Sequence, residues 1–205
     1  MIFSMRDIFL RSPWPGTLAW AILYLSDFVL TITCARLYRR NLVGKIVFEG
    51  SFELNPNFQS DVDSMKWISP RFLLALVLTS TLNTVYWALS LPSSPEIYSF
   101  VLGAAICLEL AIHVRHLQNL FLFSSTLTAE QLRGRIEYAR TLMLQMSSVQ
   151  ALGFAILFGI VFAFTASWFA AGGMLSCLSM SGKHWLLARR ATVKRLVNAG
   201  QLPAK

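Results

Sequence analysis

An acid and two histidines lie inside an apolar stretch of the chain that runs from position 97 to about position 123. They are Glu109, His113 and His116, separated by four and then three positions. At 100° per residue, a helix places these three side chains within roughly 60° of one another. A carboxylate and two imidazoles on one helix face can ligate a divalent metal ion such as Zn, Fe or Mn, or can carry a proton.

Three other residues are candidates for a further ligand to such an ion: His184 near the end of the chain, Asp27 within the first apolar stretch, and Glu53 in the loop that follows it. Asp27 is the strongest of these, because a carboxyl near the middle of a span either has a cation beside it or stays protonated. His184 facing His113 or His116 would also suit a b-type haem, which is the less favoured cofactor.

The same residues also have a purely structural explanation. Ionisable groups inside membrane spans need partners, and Glu109 could pair with a histidine or with Arg115 inside a helical bundle. His116 could lie at the level of the lipid headgroups. Under that interpretation the residues stabilise the fold and bind nothing.

Composition assigns the chain to the membrane proteins. It is 55% hydrophobic and only 14% charged, with a mean hydropathy of +0.55, which is too apolar for an ordinary soluble domain. The net charge of +8 comes from Lys and Arg residues that flank the apolar stretches. That distribution follows the positive-inside rule and argues against nucleic acid as a partner. Cys34, Cys107 and Cys177 lie in or beside apolar stretches, so no disulfide framework is expected.

The apolar stretches predict an all-α fold, a polytopic transmembrane helical bundle that forms one domain over residues 1–205. We expect five spans, at 17–35, 71–91, 96–121, 142–169 and 171–189, with four spans as the fallback. No charge occurs between positions 149 and 181, and these 33 residues would form a helix of about 50 Å against a hydrocarbon core of ~30 Å. Gly172 and Gly173 are therefore predicted to break this stretch in two.

The segments between the spans predict an orientation. Residues 1–16 should form an interfacial N-terminal segment, and residues 36–70, 122–141 and 190–205 should be a cytoplasmic loop, a cytoplasmic amphipathic segment and a basic tail. The amphipathic helical stretch at 128–145 could lie on lipid or on a partner. This arrangement predicts a multi-pass protein of the cell (inner) membrane with a cytoplasmic C-terminus. It leaves the N-terminus outside, despite Arg6 and Arg11.

Small residues recur at every fourth position of the predicted fourth span. Such a stripe lets another helix approach closely, either from the same chain or from a second copy or another subunit of a membrane complex. The residues are Ala151, Ala155, Gly159, Ala163, Ser167 and Ala171.

The first loop carries a distinctive run. Gly50, Glu53, Asn55 and Pro56 follow a first span that contains Asp27 and Thr31. In this spacing the chain resembles small uncharacterised prokaryotic polytopic membrane proteins. The resemblance covers about the first third of the chain and implies a membrane location without implying an activity.

Three hypotheses about function remain. The protein could enclose a polar acid/histidine site that binds a metal or carries an ion or proton, which is the favoured hypothesis. It could instead be a membrane-embedded metal-dependent enzyme acting on a lipid or peptide, or a non-catalytic subunit or scaffold. The sequence carries no zinc-protease, nucleophile-elbow or phosphate-loop motif, so whether it is an enzyme stays open.

Overall fold

The computed structural model describes residues 5–91, 93–124 and 133–198. Their secondary structure is almost entirely helical, with a single pair of short parallel strands, β1 (Ile46–Phe48) and β2 (Ile136–Tyr138). The helices are α1 (Met5–Arg11), α2 (Pro13–Asn41), α3 (Gln59–Asp63), α4 (Pro70–Ser90), α5 (Pro95–Ser124), α6 (Arg140–Thr165) and α7 (Trp168–Asn198).

Proline marks the start of three of the long helices. Pro13 and Pro70 each follow a serine whose hydroxyl accepts a hydrogen bond from the first turn, and Pro95 opens α5. Proline suits this position because its missing N–H would have no partner there and its φ is already helical. The serine caps satisfy one of the other free N–H groups. Local sequence therefore fixes where these helices begin.

The all-α prediction is confirmed, and the span count agrees with the fallback of four. Within the described residues, α2, α4, α5 and α6 are long and apolar enough to cross a membrane. Their outward faces are apolar, as lipid requires: Leu74, Leu89 and Phe164 are 68%, 71% and 87% exposed. The 31-residue α7 is as long as the others, but its second half is polar and it falls short of the apolarity of a span.

The order of contacts gives the direction of each helix. α2 and α5 run parallel, because Gly16 lies beside Tyr98 at one end and the Asn41 amide donates to the Phe123 carbonyl at the other. α4 runs antiparallel to α2, with Phe28 stacked on Phe72. The start of α2, the end of α4 and the start of α5 therefore share one end of the bundle.

α6 and α7 form an antiparallel pair. The hydroxyl of Ser148 donates to the carbonyl of Ser181 over 2.9 Å, and the rings of Phe162 and Trp168 meet near the connection between the two helices. α7 also packs along α5, whereas α6 packs mainly along α7 and meets α5 through side chains such as Ser147 with Arg115. α7 is thus the central helix of this half of the bundle.

The break between the last two helices is not where the sequence predicted it. Gly172 and Gly173 lie inside α7, and the chain turns at Ala166, whose φ of 49° is left-handed. Hence α6 ends at Thr165 and α7 begins at Trp168. The prediction was wrong because it treated the glycines as flexible backbone, whereas a helix in a membrane also uses glycine to admit a neighbour.

The two glycines allow α7 to touch α5. A Cβ atom on Gly172 would collide with the carbonyl oxygen of Phe100, and one on Gly173 would lie 2.6 Å from the Cβ of Cys107. Gly103 on α5 meets the backbone of Phe169 in the same way. The backbones of α5 and α7 therefore cross in direct contact, which no larger residue would permit.

The stripe of small residues on α6 divides into two parts. Ala151 and Ala155 are buried, with Ala155 packed beside Cys177 of α7, and Gly159 lies against Met174 of the same helix. Ala163 is exposed. The other two members lie outside α6, Ser167 in the connection and Ala171 buried within α7. The inner half of the stripe thus contacts a helix of the same chain.

The loop that follows α2 folds back over the end of the bundle. The ring of Phe52 meets Phe123 of α5 edge to face, and Val62 packs with Ile32 of α2. The loop is pinned where α4 begins, because the hydroxyl of Ser69 donates to the Asp61 carboxylate over 2.6 Å. This folded loop forms a roof over the polar interior.

The predicted amphipathic helix at 128–145 is wrong for residues 133–139 and agrees with the structure from Arg140 onward. β2 pairs in parallel with β1 at Ile136–Tyr138, and α6 begins only at Arg140. A strand of three residues is too short to show an alternating pattern of apolar and polar residues, and the three arginines nearby favoured an amphipathic helix instead. At the C-terminus, α7 continues through the predicted tail to Asn198. The predictions for residues 1–4, 125–132 and 199–205 lie outside the described residues.

The α5–α7 crossing predicts a sharp difference between two glycines of α7. We expect Gly172→Ala to lower the melting temperature of the purified protein by roughly 5–10 °C, because overpacking at a rigid backbone contact costs about 1–3 kcal/mol. Gly182→Ala is the matched control, since nothing lies within 4 Å of its Cβ position. It should leave the melting temperature unchanged or raise it slightly. Equal effects of the two changes would contradict the close crossing.

Candidate metal site

The candidate site lies in the half of the bundle covered by the folded loop. α2 contributes Asp27 and α5 contributes Glu109, His113 and His116; these four residues are called the acid–histidine cluster below. The parallel packing of α2 against α5 brings them together, and the spacing of four and three residues puts the α5 members on the face toward α2.

Three members of the cluster converge closely enough to share one ion. Asp27, Glu109 and His113 each offer a ligand atom, and these atoms all lie within 4.8 Å of one another. Glu109 is buried, and Asp27 and His113 are partly buried. One carboxylate oxygen of each acid, Asp27 Oδ1 and Glu109 Oε2, is buried without a hydrogen-bond partner among the described residues. Unpaired carboxylate oxygens in a water-poor interior are costly unless a cation or proton joins them.

The ring of His113 is held in a defined orientation. Its Nδ1 lies 2.7 Å from the Glu109 carbonyl oxygen, which can only accept, so Nδ1 donates. Its Nε2 lies 2.7 Å from the hydroxyl of Ser26, which also lies 2.9 Å from the Leu23 carbonyl. A neutral His113 therefore keeps its lone pair on Nε2. A metal-binding histidine commonly has its other nitrogen fixed by a carbonyl in this way.

His116 contacts the opposite side of Asp27. Its Nε2 lies 2.7 Å from Asp27 Oδ1 and 3.2 Å from the hydroxyl of Thr31. The approach to Asp27 is close but not directed as a hydrogen bond, since Oδ1 is also among the buried atoms that lack a hydrogen-bond partner. We regard it as an electrostatic contact. His116 Nδ1 is likewise buried without a hydrogen-bond partner among the described residues.

The remaining two predicted ligands line the same cavity but stand apart from the cluster. A cavity of about 220 Å³, called the polar cavity below, is bounded by Asp27, Glu109, His116, Glu53 and His184. Glu53 reaches it because the loop folds back over the bundle. The structure thus brings five of the six predicted residues to one cavity, and His113 lies beside it within the cluster.

Glu53 is engaged by its own loop. Its Oε1 accepts a hydrogen bond of 2.6 Å from the N–H of Asn55, and the Asn55 side chain accepts in turn from the N–H of Asn57, so the run forms a turn. Burial raises the pKa of the Glu53 carboxyl above its ordinary value, while the Asn55 N–H opposes that shift. Glu53 therefore stabilises the loop that covers the polar cavity, and it is less suited to act as a metal ligand.

His184 belongs to a second polar network. Its Nδ1 lies 2.9 Å from the hydroxyl of Ser147, which accepts a hydrogen bond of 2.8 Å from the guanidinium of Arg115. The suggested pairing of Arg115 with Glu109 is not seen. Since the Arg115 guanidinium can only donate, the Ser147 hydroxyl hydrogen is free for His184. This network joins α5, α6 and α7 at the level of the polar cavity.

Some residues of the site were not identified from the sequence. Ser26 and Ser147 hold two of the three histidines, and Lys183 lines the polar cavity. Ser26 precedes Asp27, and a serine beside a buried acid is a weak signal. Ser147 gives no signal at all, because its role depends on how α6 packs against α7.

No protein-family model, curated protein or solved structure matches this chain. The geometry of the acid–histidine cluster and the membrane character of the helices are therefore the basis for assigning a function.

The contact between Asp27 and His116 predicts strong energetic coupling. In a double-mutant cycle with Asp27→Asn and His116→Gln, we expect a coupling energy of about 1–3 kcal/mol, because the pair is largely shielded from water. The measurement is the free energy of unfolding by sodium dodecyl sulfate titration in mixed micelles. The exposed pair Gln118 and Gln150, joined over 3.3 Å, is the control. Its coupling should be below about 0.5 kcal/mol, and a similarly small value for Asp27 and His116 would contradict the contact.

Proposed function

We propose that the protein is a membrane protein whose acid–histidine cluster binds one divalent metal ion, with Asp27, Glu109 and His113 as its ligands. The observation that carries the proposal is the convergence of three ligand atoms within 4.8 Å, two of them from acids that each have one buried oxygen without a hydrogen-bond partner among the described residues. A divalent cation would neutralise both carboxylates, which otherwise repel each other.

The ligand set limits the identity of the ion. Two carboxylates favour hard ions, and an imidazole favours transition metals, so Zn, Fe and Mn suit the mixture. His116, in contact with Asp27, could act as a fourth ligand or could orient the Asp27 carboxylate. The polar cavity of about 220 Å³ has room for water ligands beside an ion. At about 220 Å³ it is small for a b-type haem.

A proton-carrying site is the second candidate, and the His113 geometry favours it. If the Ser26 hydroxyl donates to the Leu23 carbonyl, His113 Nε2 must itself carry a hydrogen, and the ring is then an imidazolium beside two acids. That arrangement neutralises part of the cluster without a metal. The two candidates therefore differ in whether Nε2 offers a lone pair or a proton.

Metal content distinguishes these candidates. We expect the detergent-purified protein to contain about one Zn, Fe or Mn ion per chain, and Glu109→Gln or His113→Ala to reduce that content at least tenfold. The measurement is elemental analysis after removal of loosely bound ions. Glu137→Gln, an exposed acid paired with Arg135, is the control and should keep the metal.

A wild-type protein without metal would overturn the metal site. In that case the proton-carrying site predicts that Glu109→Gln changes the pH dependence of proton flux in liposomes. An unchanged flux would leave the third hypothesis, a scaffold, as the remaining explanation.

We further propose that α7 crosses the membrane as a fifth span, with the C-terminus in the cytoplasm. α7 packs along α5 and α6 for much of its length, and its polar half lies at the end of the bundle where the basic loops gather. Arg36, Lys66, Arg71 and Lys183 all belong to that end, so the positive-inside rule orients it toward the cytoplasm.

Cysteine labelling tests this topology. We expect Ser93→Cys to react with a membrane-impermeant maleimide on intact cells, and Ser60→Cys and Arg190→Cys to react only after permeabilisation. All three positions are exposed, and the native cysteines are buried, so background labelling should be low. Labelling of Arg190→Cys on intact cells, with Ser60→Cys protected, would favour four spans instead.

A further inference from the structure

The end of α2 carries two arginines on the face that the helix presents to lipid. Leu25 and Val29 mark that face, and both are exposed. Arg36 and Arg40 follow Val29 by seven and eleven positions, so helical periodicity puts all four residues within about 60° of one another. Both arginines are exposed, and the helix ends at Asn41. The apolar stripe of α2 therefore terminates in two cations.

Two exposed apolar residues meet these cations just before α4 begins at Pro70. They are Trp67 and Ile68, which are 47% and 73% exposed. The guanidinium of Arg36 lies over the ring of Trp67, with 4.4 Å between its Cζ and the ring centroid. Stacking uses the face of the guanidinium and leaves the N–H donors at its edge free to bind an anion. Arg36, Arg40, Trp67 and Ile68 are called the α2–α4 patch below.

The positive charge of the α2–α4 patch is not balanced by an acid. Within the part of the chain that the structure describes, neither Arg36 nor Arg40 belongs to an ion pair. The acids of the neighbouring loop have other partners: Asp61 is buried and ion-paired within that loop, and Asp63 accepts a hydrogen bond from Ser51. Like charges four residues apart on a helix repel each other, and an anion between them relieves that repulsion.

The lengths of two helices put the α2–α4 patch at the edge of the hydrocarbon core. α2 has 29 residues and measures ~43 Å, so it projects ~7 Å beyond each side of a ~30 Å core. Arg36 lies five residues before its end, about 7.5 Å along the axis, and so lies at the boundary. The 21 residues of α4 measure ~31 Å, which puts its start at Pro70 at the boundary as well. The contact between Arg36 and Trp67 therefore joins two residues at the same level.

The surface between the α2–α4 patch and the centre of the bilayer is apolar. On α2 it continues from Arg36 through Val29 to Leu25, and on α4 Leu73 and Val77 are exposed in the first two turns. An acyl chain that starts at the patch and runs toward the bilayer centre therefore lies on apolar side chains. Its head stays at the level of the headgroups, where tryptophan and arginine are both favourable.

We propose that the α2–α4 patch binds an anionic phospholipid of the phosphatidylglycerol type, with its phosphate at the two arginines and an acyl chain along the apolar stripe of α2. Arginine binds a phosphate through two parallel hydrogen bonds, which a stacked guanidinium can still make. A zwitterionic lipid brings a positive group to the same two arginines, so net charge gives the selectivity. The site uses no residue of the acid–histidine cluster and does not depend on a bound metal.

Quenching of Trp67 fluorescence by brominated lipids tests the proposal with the full chain. Phosphatidylcholine vesicles receive increasing fractions of phosphatidylglycerol or phosphatidylcholine that is brominated near the headgroup end of its chains. The emission of Trp67 is the difference between the wild type and Trp67→Phe, which removes the other tryptophans from the comparison. We expect brominated phosphatidylglycerol to reach half-maximal quenching at about a tenfold lower fraction than brominated phosphatidylcholine.

Arginine variants separate a defined site from general attraction to a basic surface. Arg36→Gln and Arg40→Gln should each raise the fraction of phosphatidylglycerol at half-maximal quenching about fivefold, and the two changes together should abolish the preference. Arg40→Gln leaves the contact between Arg36 and Trp67 in place, so its effect does not arise from a changed environment of the indole. Arg189→Gln, an exposed cation at the same end of the bundle, is the matched control and should behave like the wild type.

Two results would overturn the lipid site: equal quenching of the wild type by the two brominated lipids, or a preference for phosphatidylglycerol that survives the loss of both arginines. Glycerol phosphate, which has the head without the chains, separates a lipid from a soluble phosphate. Its addition in excess should leave the quenching by phosphatidylglycerol unchanged. Relief of the quenching by glycerol phosphate would mean that the arginines bind a soluble anion and that the apolar stripe has no part in the site.

Discussion

The polar half of the structure depends on removing two carboxylates from water. Asp27 and Glu109 come from different helices and each keeps one buried oxygen without a hydrogen-bond partner. An ionised carboxylate in a medium of low dielectric constant costs several kcal/mol unless a positive charge lies beside it. The histidines, the folded loop and the serine hydroxyls surround these two acids, and a neighbouring cation or a bound proton would satisfy the constraint.

The positions of the site residues were largely predictable because they depend on local rules. Glu109, His113 and His116 share a face by helical periodicity alone, and Asp27 is conspicuous because acids are rare in apolar spans. Packing brings Asp27 of α2 to the level of His116 on α5. The sequence indicated only that an acid and a histidine are chemically suited to pair. Ser147 illustrates the limit, since a serine at the start of an apolar helix has no periodic or electrostatic signature.

The errors came from residues with more than one possible role. Gly172 and Gly173 were assigned to a turn, but they lie where the backbones of α5 and α7 touch, and the left-handed Ala166 makes the turn instead. Glycine permits both a positive φ and a close helix contact, and only the tertiary structure decides between them. The arginine-rich segment before α6 was likewise compatible with an amphipathic helix until pairing with β1 fixed it as a strand.

The close crossing of α5 and α7 also bears on how α6 packs. With α7 held tightly against α5 by glycine, the α6 backbone packs mainly along α7, and α6 meets α5 through the side-chain pairs Arg115–Ser147 and Gln118–Gln150. A space of about 680 Å³ remains between α5 and α6, next to the polar cavity that His184 of α7 lines. Arg115 spans the boundary between the two spaces through its hydrogen bond to Ser147. The Arg115 side chain therefore separates the acid-rich polar cavity from the larger space between α5 and α6.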